Sequence, residues 1–475
     1  MAYRMGDRNQ QNLLPECIED FVGAEDNARI YDEFVNSLNL EEIGINLNAH
    51  RVGNPEYDPR KMLKLLVFGY SYGLRSSRDL ERATYHNLSF IWLMGGLRPD
   101  HKTIAEFRRE NKGALKLLIK QCAKICIKMG LIDGDSVFLD SSKFRGNASI
   151  RNTLDKKKCQ SRLRRLDEKI DKIFEEAEEL DAADKGNSVN YPKELGSLQE
   201  MKAKVRQLAK EIQESEKTSI NLTDRECVKI KGRQGTHAGY CGHIVVDEKN
   251  GLIINSDVVS ENNDKNQFKN QIAEAEKVTG KPCKSACADA GYANTDNLKD
   301  VHDRGVKVVV PSAKQTTGKE PEEFDKERFK YNEKEDAYKC PEGKTLKYIN
   351  FTKDGNHKIY RISESKDCRT CKNYGTCTSS KRGREIKRLK NERVKEELGK
   401  MYESEEGQNI YKKRQGKAEH PFGHMKSNLG AGSFLIRGKL GANAEMSILS
   451  TCFNLARMKT IKGFTGLITG FRMAT

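Results

Sequence analysis

Three acidic residues, Asp140, Asp289 and Glu419, have the types and settings that metal-assisted phosphate chemistry requires. Asp140 closes the apolar run Val137-Phe138-Leu139 and is followed by Ser141-Ser142-Lys143. Asp289 stands in Ala288-Asp289-Ala290-Gly291-Tyr292, and Glu419 lies in the basic block from Arg414 to Lys426. Two of the acids follow strand-like runs, and the third belongs to a helix-like segment. Carboxylate oxygens suit Mg²⁺, or Mn²⁺ in its place, and Mg²⁺ keeps several waters, so few protein ligands are needed. Two such ions about 3.5–4 Å apart can clamp the attacking and leaving oxygens of an in-line phosphodiester displacement. In that arrangement Asp140 bridges both ions, and Asp289 and Glu419 hold one each. The plainer reading of any one acid after a strand is a turn or helix N-cap. Asp224 and Asp247 are rival acids, since they too lie near predicted strands.

A second constellation is made of cysteines. Cys340-Pro-Glu-Gly is followed by Cys368-x2-Cys371-x5-Cys377. Four thiolates in one polar insert suit a closed, tetrahedral, structural Zn²⁺ site, and an insert with little apolar material needs such a staple. The alternative is four unliganded thiols. The pairs Cys122/Cys126 and Cys283/Cys287 have helix or strand spacing and read as core, and His243 reads as a satisfied structural histidine.

The elements that must position these groups follow from periodicity. Residues 51–130 read as a compact, basic, all-helical region. Lys61 to Tyr72 is amphipathic, Ser76 with Asp79 marks a helix start, and Thr103 with Glu106 forms a capping box opening a helix that runs to about Met129. A β-like stretch ends at Asp140. From Lys156 to Thr218, apolar residues recur in steps of three and four (Cys159, Leu163, Leu166, Ile170; then Leu198, Met201, Val205, Leu208) on either side of a break at Gly186 to Pro192. Two such seams joined by a short loop predict an antiparallel helical hairpin, with an intermolecular coiled coil as the rival. Beyond Thr236, Tyr240–Asp247, Gly251–Val259, Lys284–Asp289 and Val306–Pro311 read as strands, with helices over Phe268–Val278 and Asn294–His302. The pattern predicts an α/β fold, a mixed sheet flanked by helices. A basic run covers 381–395, and a final apolar helix covers about Ala442 to Met458.

The formal charge of +16 points to a polyanionic partner, usually nucleic acid, because Lys and Arg gain affinity by releasing counterions from phosphates. A merely soluble basic protein is the bland alternative. The segment MAYRMGDRNQQNLLPE has no apolar run, and Met62 to Leu74 is too short to span a bilayer, so neither a secretory leader nor a membrane span is expected. The thirteen cysteines, an odd number, fit a reducing cytoplasm better than a disulfide framework.

The blocks ADAGYAN (288–294), YKKRQGKAEHPFGHMK (411–426) and the strand running from Gly239-Tyr240 to Asp247, with Arg98-Pro-Asp-His-Lys-Thr103 leading into Phe107-Arg108-Arg109, resemble the DDE transposases of bacterial insertion sequences. The resemblance covers roughly residues 50 to 460. It implies a ribonuclease H-like catalytic core with Asp140, Asp289 and Glu419 as its acids, metal-dependent cleavage at transposon ends, and joining of the freed 3′ hydroxyl to a target. The implied divisions are a helical DNA-binding domain (1–130), a catalytic core (131–155 and 219–315), a helical-hairpin insertion (156–218), a Cys-rich, zinc-ribbon-like insert (316–380), and a basic segment with C-terminal helices completing the core (381–475). The implied partner is double-stranded DNA, terminal repeats and target alike, bound by a homodimer or larger assembly in the bacterial cytoplasm, at the nucleoid. Candidate DNA contacts are Arg108, Arg109 and Lys112 on a recognition helix, Lys387 and Arg388 in the basic run, and Arg414 and Lys426 beside Glu419. Solvated helix charges and a helical support domain are the alternatives. The chain departs from the group's signature Tyr-x2-Arg-x3-Glu-x6-Lys: four residues separate Arg414 from Glu419, and Pro421 predicts a helix junction at Glu419. A nuclease that cuts without joining, and a non-catalytic DNA-binding derivative, share these residues.

Overall fold

The computed structural model describes residues 17–47, 56–183, 193–215, 217–232, 235–318 and 320–474. The chain forms two compact units, the first made of residues 1–264, 271–283 and 415–475, the second of 265–270 and 284–414.

The first unit begins with short helices whose ends are written in their caps. They are α1 (Asn27–Asn36), α2 (Pro59–Ser71), α3 (Ser77–His86), α4 (Leu88–Met94), α5 (His101–Glu110) and α6 (Lys112–Lys128). Asp26, Asp58 and Ser76 accept backbone N–H bonds at the starts of α1, α2 and α3, and Pro59 occupies the first turn of α2. Where one helix was expected from Thr103 to Met129, there are two. Asp100 is the N-cap of α5, accepting from the Thr103 N–H at 2.7 Å. At the other end, Asn111 leaves helical dihedrals and its side-chain amide donates to the Phe107 carbonyl at 2.9 Å, which seals α5 and restarts the chain as α6.

Strand β1 (Ser136–Arg145) pairs antiparallel with β5 (Gly235–Asp247), placing Asp140 opposite Ile244 and Ser142 opposite Gly242. The chain between them forms β2 (Thr153–Leu154) and β3 (Ile220–Asn221), which pair at the base of α7 (Lys156–Ala183) and α8 (Lys193–Glu214). Cys159 and Leu166 of α7 pack on Val205, Leu208 and Ile212 of α8, so the two seams satisfy each other within one chain, as the hairpin reading expected; the connection 184–192 lies outside the described residues. Strand β4 (Val228–Gly232) pairs with the start of β5, and β6 (Ile253–Val259) with the rest of the same edge. A Cβ at Gly239 would come within 2.2 Å of the Phe144 carbonyl, so this register requires glycine there. Helix α9 (Phe268–Thr279) follows.

The second unit holds the parallel pair β7 (Ser285–Cys287) and β8 (Lys307–Val309), with α10 (Thr295–His302) between them, capped by Asn294. Helix α11 (Ala313–Thr317) opens on a Ser312/Gln315 capping box. The polar, Cys-rich segment is a five-stranded antiparallel meander of β9 (Lys330–Asn332), β10 (Ala337–Lys339), β11 (Thr345–Phe351), β12 (His357–Ile362) and β13 (Glu385–Leu389), with α12 (Ser365–Arg369) before the last strand. Tyr338, Leu346, Tyr360, Ile362 and Ile386 are its small core. The basic run expected at 381–395 therefore splits. Its first half is strand β13, and its second half opens α13 (Glu392–Glu403).

Helix α14 (Glu405–Ser427) begins in the second unit and ends in the first. It continues through Pro421, where a junction was expected. An interior proline costs about 3 kcal/mol or more. Burial of Ala418, Pro421, Phe422 and Met425 on one side of the helix offsets it. The last helix, α15 (Lys439–Ala474), breaks direction at Gly463, whose φ is 68°. Its buried face grips the outer edge of β6. Asn443 accepts the Val258 N–H at 2.8 Å and donates to the Val258 carbonyl at 3.0 Å; Asn454 does the same to Ile253, both at 2.8 Å. Five strand residues and eleven helical residues both span about 16.5 Å, so one helix satisfies the sheet edge at two points.

Among the described residues no helix is long and apolar enough to cross a membrane.

Candidate active site

In the first unit, Asp140 sits in the middle of β1 and is buried, with 9% of its surface exposed. Strand alternation puts Asp140, Ser142 and Phe144 on one face. Glu419 is exposed on α14 and shares a helical face with Phe422 and Lys426, three and seven residues on. Those two faces meet. The Phe422 and Phe144 rings lie 6.0 Å apart. The Lys426 ammonium donates to the Ser142 hydroxyl at 2.5 Å and the Lys143 carbonyl at 3.0 Å, and stands 4.8 Å from the centre of the Phe144 ring. The first unit thus carries Asp140 and Glu419 on facing surfaces of a strand and a helix.

The loop after α14 is anchored to the same strand. Phe434 N–H donates to the Arg145 carbonyl at 2.8 Å, and Phe434 stacks on Phe144 at 4.9 Å. Arg75, ahead of α3, donates to the Gly430 carbonyl at 2.7 Å, to the Ser433 carbonyl, and to Glu445 of α15 at 2.5 Å. Glu445 is fully buried. Nothing in the periodicity of the helices singled out Arg75 or Glu445, which lie 370 residues apart.

In the second unit, Asp289 follows β7 and N-caps a short 3-10 turn, accepting the Gly291 N–H at 2.9 Å. The plain N-cap reading is therefore met in part, since this bond engages Oδ1. Arg414 is buried and lies close enough to share neighbours with Asp289. Burial pushes the Cys287 thiol up to about 12, with Arg414 opposing and Asp289 adding to the rise. The same two charges act on the Tyr411 phenol, which burial also raises, and the Arg414 guanidinium stands 5.4 Å from the Tyr411 ring.

The rival acids have structural work. Asp224 accepts from the Tyr240 hydroxyl at 2.7 Å and the Gly438 N–H at 3.1 Å. Asp247 accepts from the Gly134 and Lys249 N–H groups at 2.8 and 3.1 Å, and burial raises its carboxyl to about 6.

The expected DNA contacts divide. Arg109, paired with Glu106 at 2.7 Å, and Lys387 are exposed, and Lys112 is half-buried. Arg108 is instead buried. Its guanidinium donates to the Arg75 carbonyl at 2.7 Å and the Tyr70 hydroxyl at 3.3 Å, so it braces the helices rather than facing a phosphate. Arg388 lies 3.8 Å from the Tyr331 ring centre and donates to the Tyr338 hydroxyl and Glu396, which makes it a brace of the meander. Arg414 and Lys426 likewise differ from the expectation of free phosphate contacts. One is buried beside Asp289, and the other is fastened to β1.

The four cysteines Cys340, Cys368, Cys371 and Cys377 line one pocket at the end of the meander. The Cys340 sulfur accepts the Lys344 N–H at 3.3 Å and the Cys368 sulfur the Arg384 N–H at 3.4 Å. Cys340, Cys368 and Cys371 all act electrostatically on Cys377. Cys122, Cys126, Cys283 and Cys287 are buried, as their spacing suggested.

Comparison with known proteins agrees with the two ends of this arrangement. Residues 339–459 match the family described as Transposase DDE domain, a span that contains Glu419, Arg414, Lys426 and the four cysteines. Residues 16–110 match a second family, described as Transposase domain (DUF772), which covers α1 to α5. Neither a curated protein nor a solved structure matches the chain. With a transposase domain at each end, the chain belongs to the DDE transposases of insertion sequences.

Proposed function

We propose that this transposase cuts DNA at the ends of its element and joins the freed 3′ hydroxyl to a target, with Asp140, Asp289 and Glu419 as the metal-binding acids of a ribonuclease H-like core. The observation that supports the reading is the packing of α14, which carries Glu419, against β1, which carries Asp140, through Phe144, Phe422, Ser142 and Lys426. The donors are carboxylate oxygens, one buried on a strand, one half-buried and one exposed, and this set fits Mg²⁺ or Mn²⁺. When bound, such ions supply Lewis-acid stabilisation of the attacking and leaving oxygens. Asp140 is held by the sheet, and Glu419 by a helix face that Phe422 and Lys426 pin one and two turns away. Arg414, buried in the same unit, puts a positive charge in the neighbourhood of Asp289, since both act on the Cys287 thiol and the Tyr411 phenol. Lys387, Arg109 and Lys112 provide non-specific phosphate attraction along the DNA.

The four cysteines fit a structural Zn²⁺. They are soft donors gathered in one pocket, two of their sulfurs receive backbone N–H bonds that stabilise thiolates, and the surrounding meander has a small core. Zinc there would hold β10, α12 and β13 together; Cys377→Ser is expected to lose one equivalent of Zn²⁺ per chain.

The test is incubation of the purified chain with Mg²⁺ and the DNA flanking its reading frame. Mapped 3′-hydroxyl ends and joined products support the proposal. Cleaved but never joined products would leave a nuclease, and DNA binding without cleavage would leave a non-catalytic derivative.

A further inference from the structure

On the face of the sheet turned away from Asp140, a second group of ligating side chains converges. Cys241 and His243 alternate along β5 and so point the same way, opposite Lys143 and Ser141 of β1. Asp264, in the segment between β6 and α9, reaches the same place. Its Oδ1 lies 3.3 Å from the Cys241 sulfur and 3.7 Å from His243 Nε2. One ligand atom from each of the three lies within 4.8 Å of the others. We propose that Cys241, His243 and Asp264 form a site for a borderline-soft divalent transition ion of the zinc class, separate from the carboxylate site and from the four cysteines.

The two distances lie within a few tenths of an ångström of those such an ion sets. Ordinary zinc bonds of about 2.3 Å to sulfur and about 2.0–2.1 Å to nitrogen and oxygen, set at tetrahedral angles, put sulfur about 3.5 Å and nitrogen about 3.3 Å from the same oxygen. The donor set is mixed sulfur, nitrogen and oxygen, which favours zinc, cobalt or iron over Mg²⁺. Cys241 and His243 are almost fully buried, at 1% and 0% exposure, while Asp264 is partly exposed and offers an entry path. The surroundings are negative. Asp257, opposite His243 on β6, and Glu261 both act on the imidazole together with Asp264. The nearest balancing charges are Lys116, 3.7 Å from Asp257, and Lys143, which acts on Cys241; Gln271 donates to Asp257 at 3.3 Å. Burial keeps the imidazole neutral, the form that ligates. Binding replaces the Cys241 S–H bond with a sulfur–metal bond and releases that proton to solvent.

Three protein ligands would leave a fourth position for water, and the Ser141 side chain hydrogen-bonds with Cys241. Ser141 is the chain neighbour of Asp140, so an ion here would fasten the segment before α9 to the strand that carries the first acid. Its role is to stiffen that strand from behind.

The test is metal content of the full chain after loading with Zn²⁺ or Co²⁺ and removal of excess ion. The wild type is expected to retain one equivalent more than Asp264→Asn and Cys241→Ser, while both variants keep the far-ultraviolet circular dichroism of the wild type. Added Zn²⁺ should raise Tm in the wild type by several degrees more than in Asp264→Asn, which alters a partly exposed side chain and spares the core. Equal metal content in wild type and both variants would overturn the proposal and leave a thiol–carboxylate hydrogen bond in its place. Cys377→Ser separates the two sites: loss of an equivalent there tests only the cysteine pocket, and a fall confined to Asp264→Asn and Cys241→Ser would count against the cysteine pocket while supporting this one.

Discussion

Asp140 and Asp247 lie on paired strands and show how burial assigns opposite work to the same residue type. Asp247 is fully buried and caps a turn, and burial raises its carboxyl from about 3.9 in an unfolded chain to about 6. The folded state therefore binds this proton more tightly. Its contribution to stability is complete below about pH 4 and is lost as pH rises through about 6. Asp247→Asn retains an oxygen for the Gly134 N–H and is expected to remove that decline, with a gain of up to about 3 kcal/mol at pH 7. Urea midpoints at pH 5 and pH 8 measure it, and an unchanged pH dependence would contradict the assignment. Arg75 shows the reverse dependence on a partner. Removing it leaves Glu445 charged in the interior, so Arg75→Ala is expected to cost about 3–5 kcal/mol, against under about 1 kcal/mol for Arg109→Ala on the surface. Equal losses in the two would show that Glu445 has another counter-charge.

At the scale of elements, the sequence revealed period better than boundary. Strands β5 to β8 and helices α9 and α10 lie where apolar runs and helical spacing put them, because β5, β6 and β7 are buried on both faces almost throughout and the helices bury one face each. The misplacements have local causes. Asp100 competes with Thr103 as the cap of α5, and either residue satisfies the propensity rule. Strand β13 is concealed by charge, since Lys387 faces solvent and Arg388 spends its guanidinium on tyrosines. Pro421 suggested an ending that tertiary burial overrides. Of the candidate site, the residue types and their order were legible. The contacts that orient them were not, because Lys426–Ser142 and Arg75–Glu445 join residues hundreds apart. The edge of β6 gives an element-scale test. Asn454→Leu leaves the Ile253 N–H and carbonyl buried without partners and is expected to cost about 2–4 kcal/mol, read by denaturant unfolding. A cost under about 0.5 kcal/mol would mean that α15 does not cover that edge. Phe422→Ala is expected to cost about 3 kcal/mol and to lower cleavage by shifting Glu419, while DNA binding is kept.

At the scale of the whole molecule, the formal charge of +16 on a chain with two transposase domains predicts a DNA affinity that falls steeply with salt, read from binding titrations at several salt concentrations. Lys387→Ala and Arg109→Ala are each expected to reduce the slope of log K against log salt by about 0.9, whereas Arg108→Ala, a buried brace, should change stability and leave the slope alone. The central claim is that Asp140, Asp289 and Glu419 act together on one phosphodiester. The most direct measurement is Mg²⁺-dependent cleavage of the flanking DNA by Asp140→Asn, Asp289→Asn and Glu419→Gln, each compared with wild type at matched DNA occupancy. The account requires every one of the three to lose cleavage by about 10³-fold or more with binding intact. Cleavage near the wild-type rate in any one of them would remove that residue from the site and contradict the three-acid account.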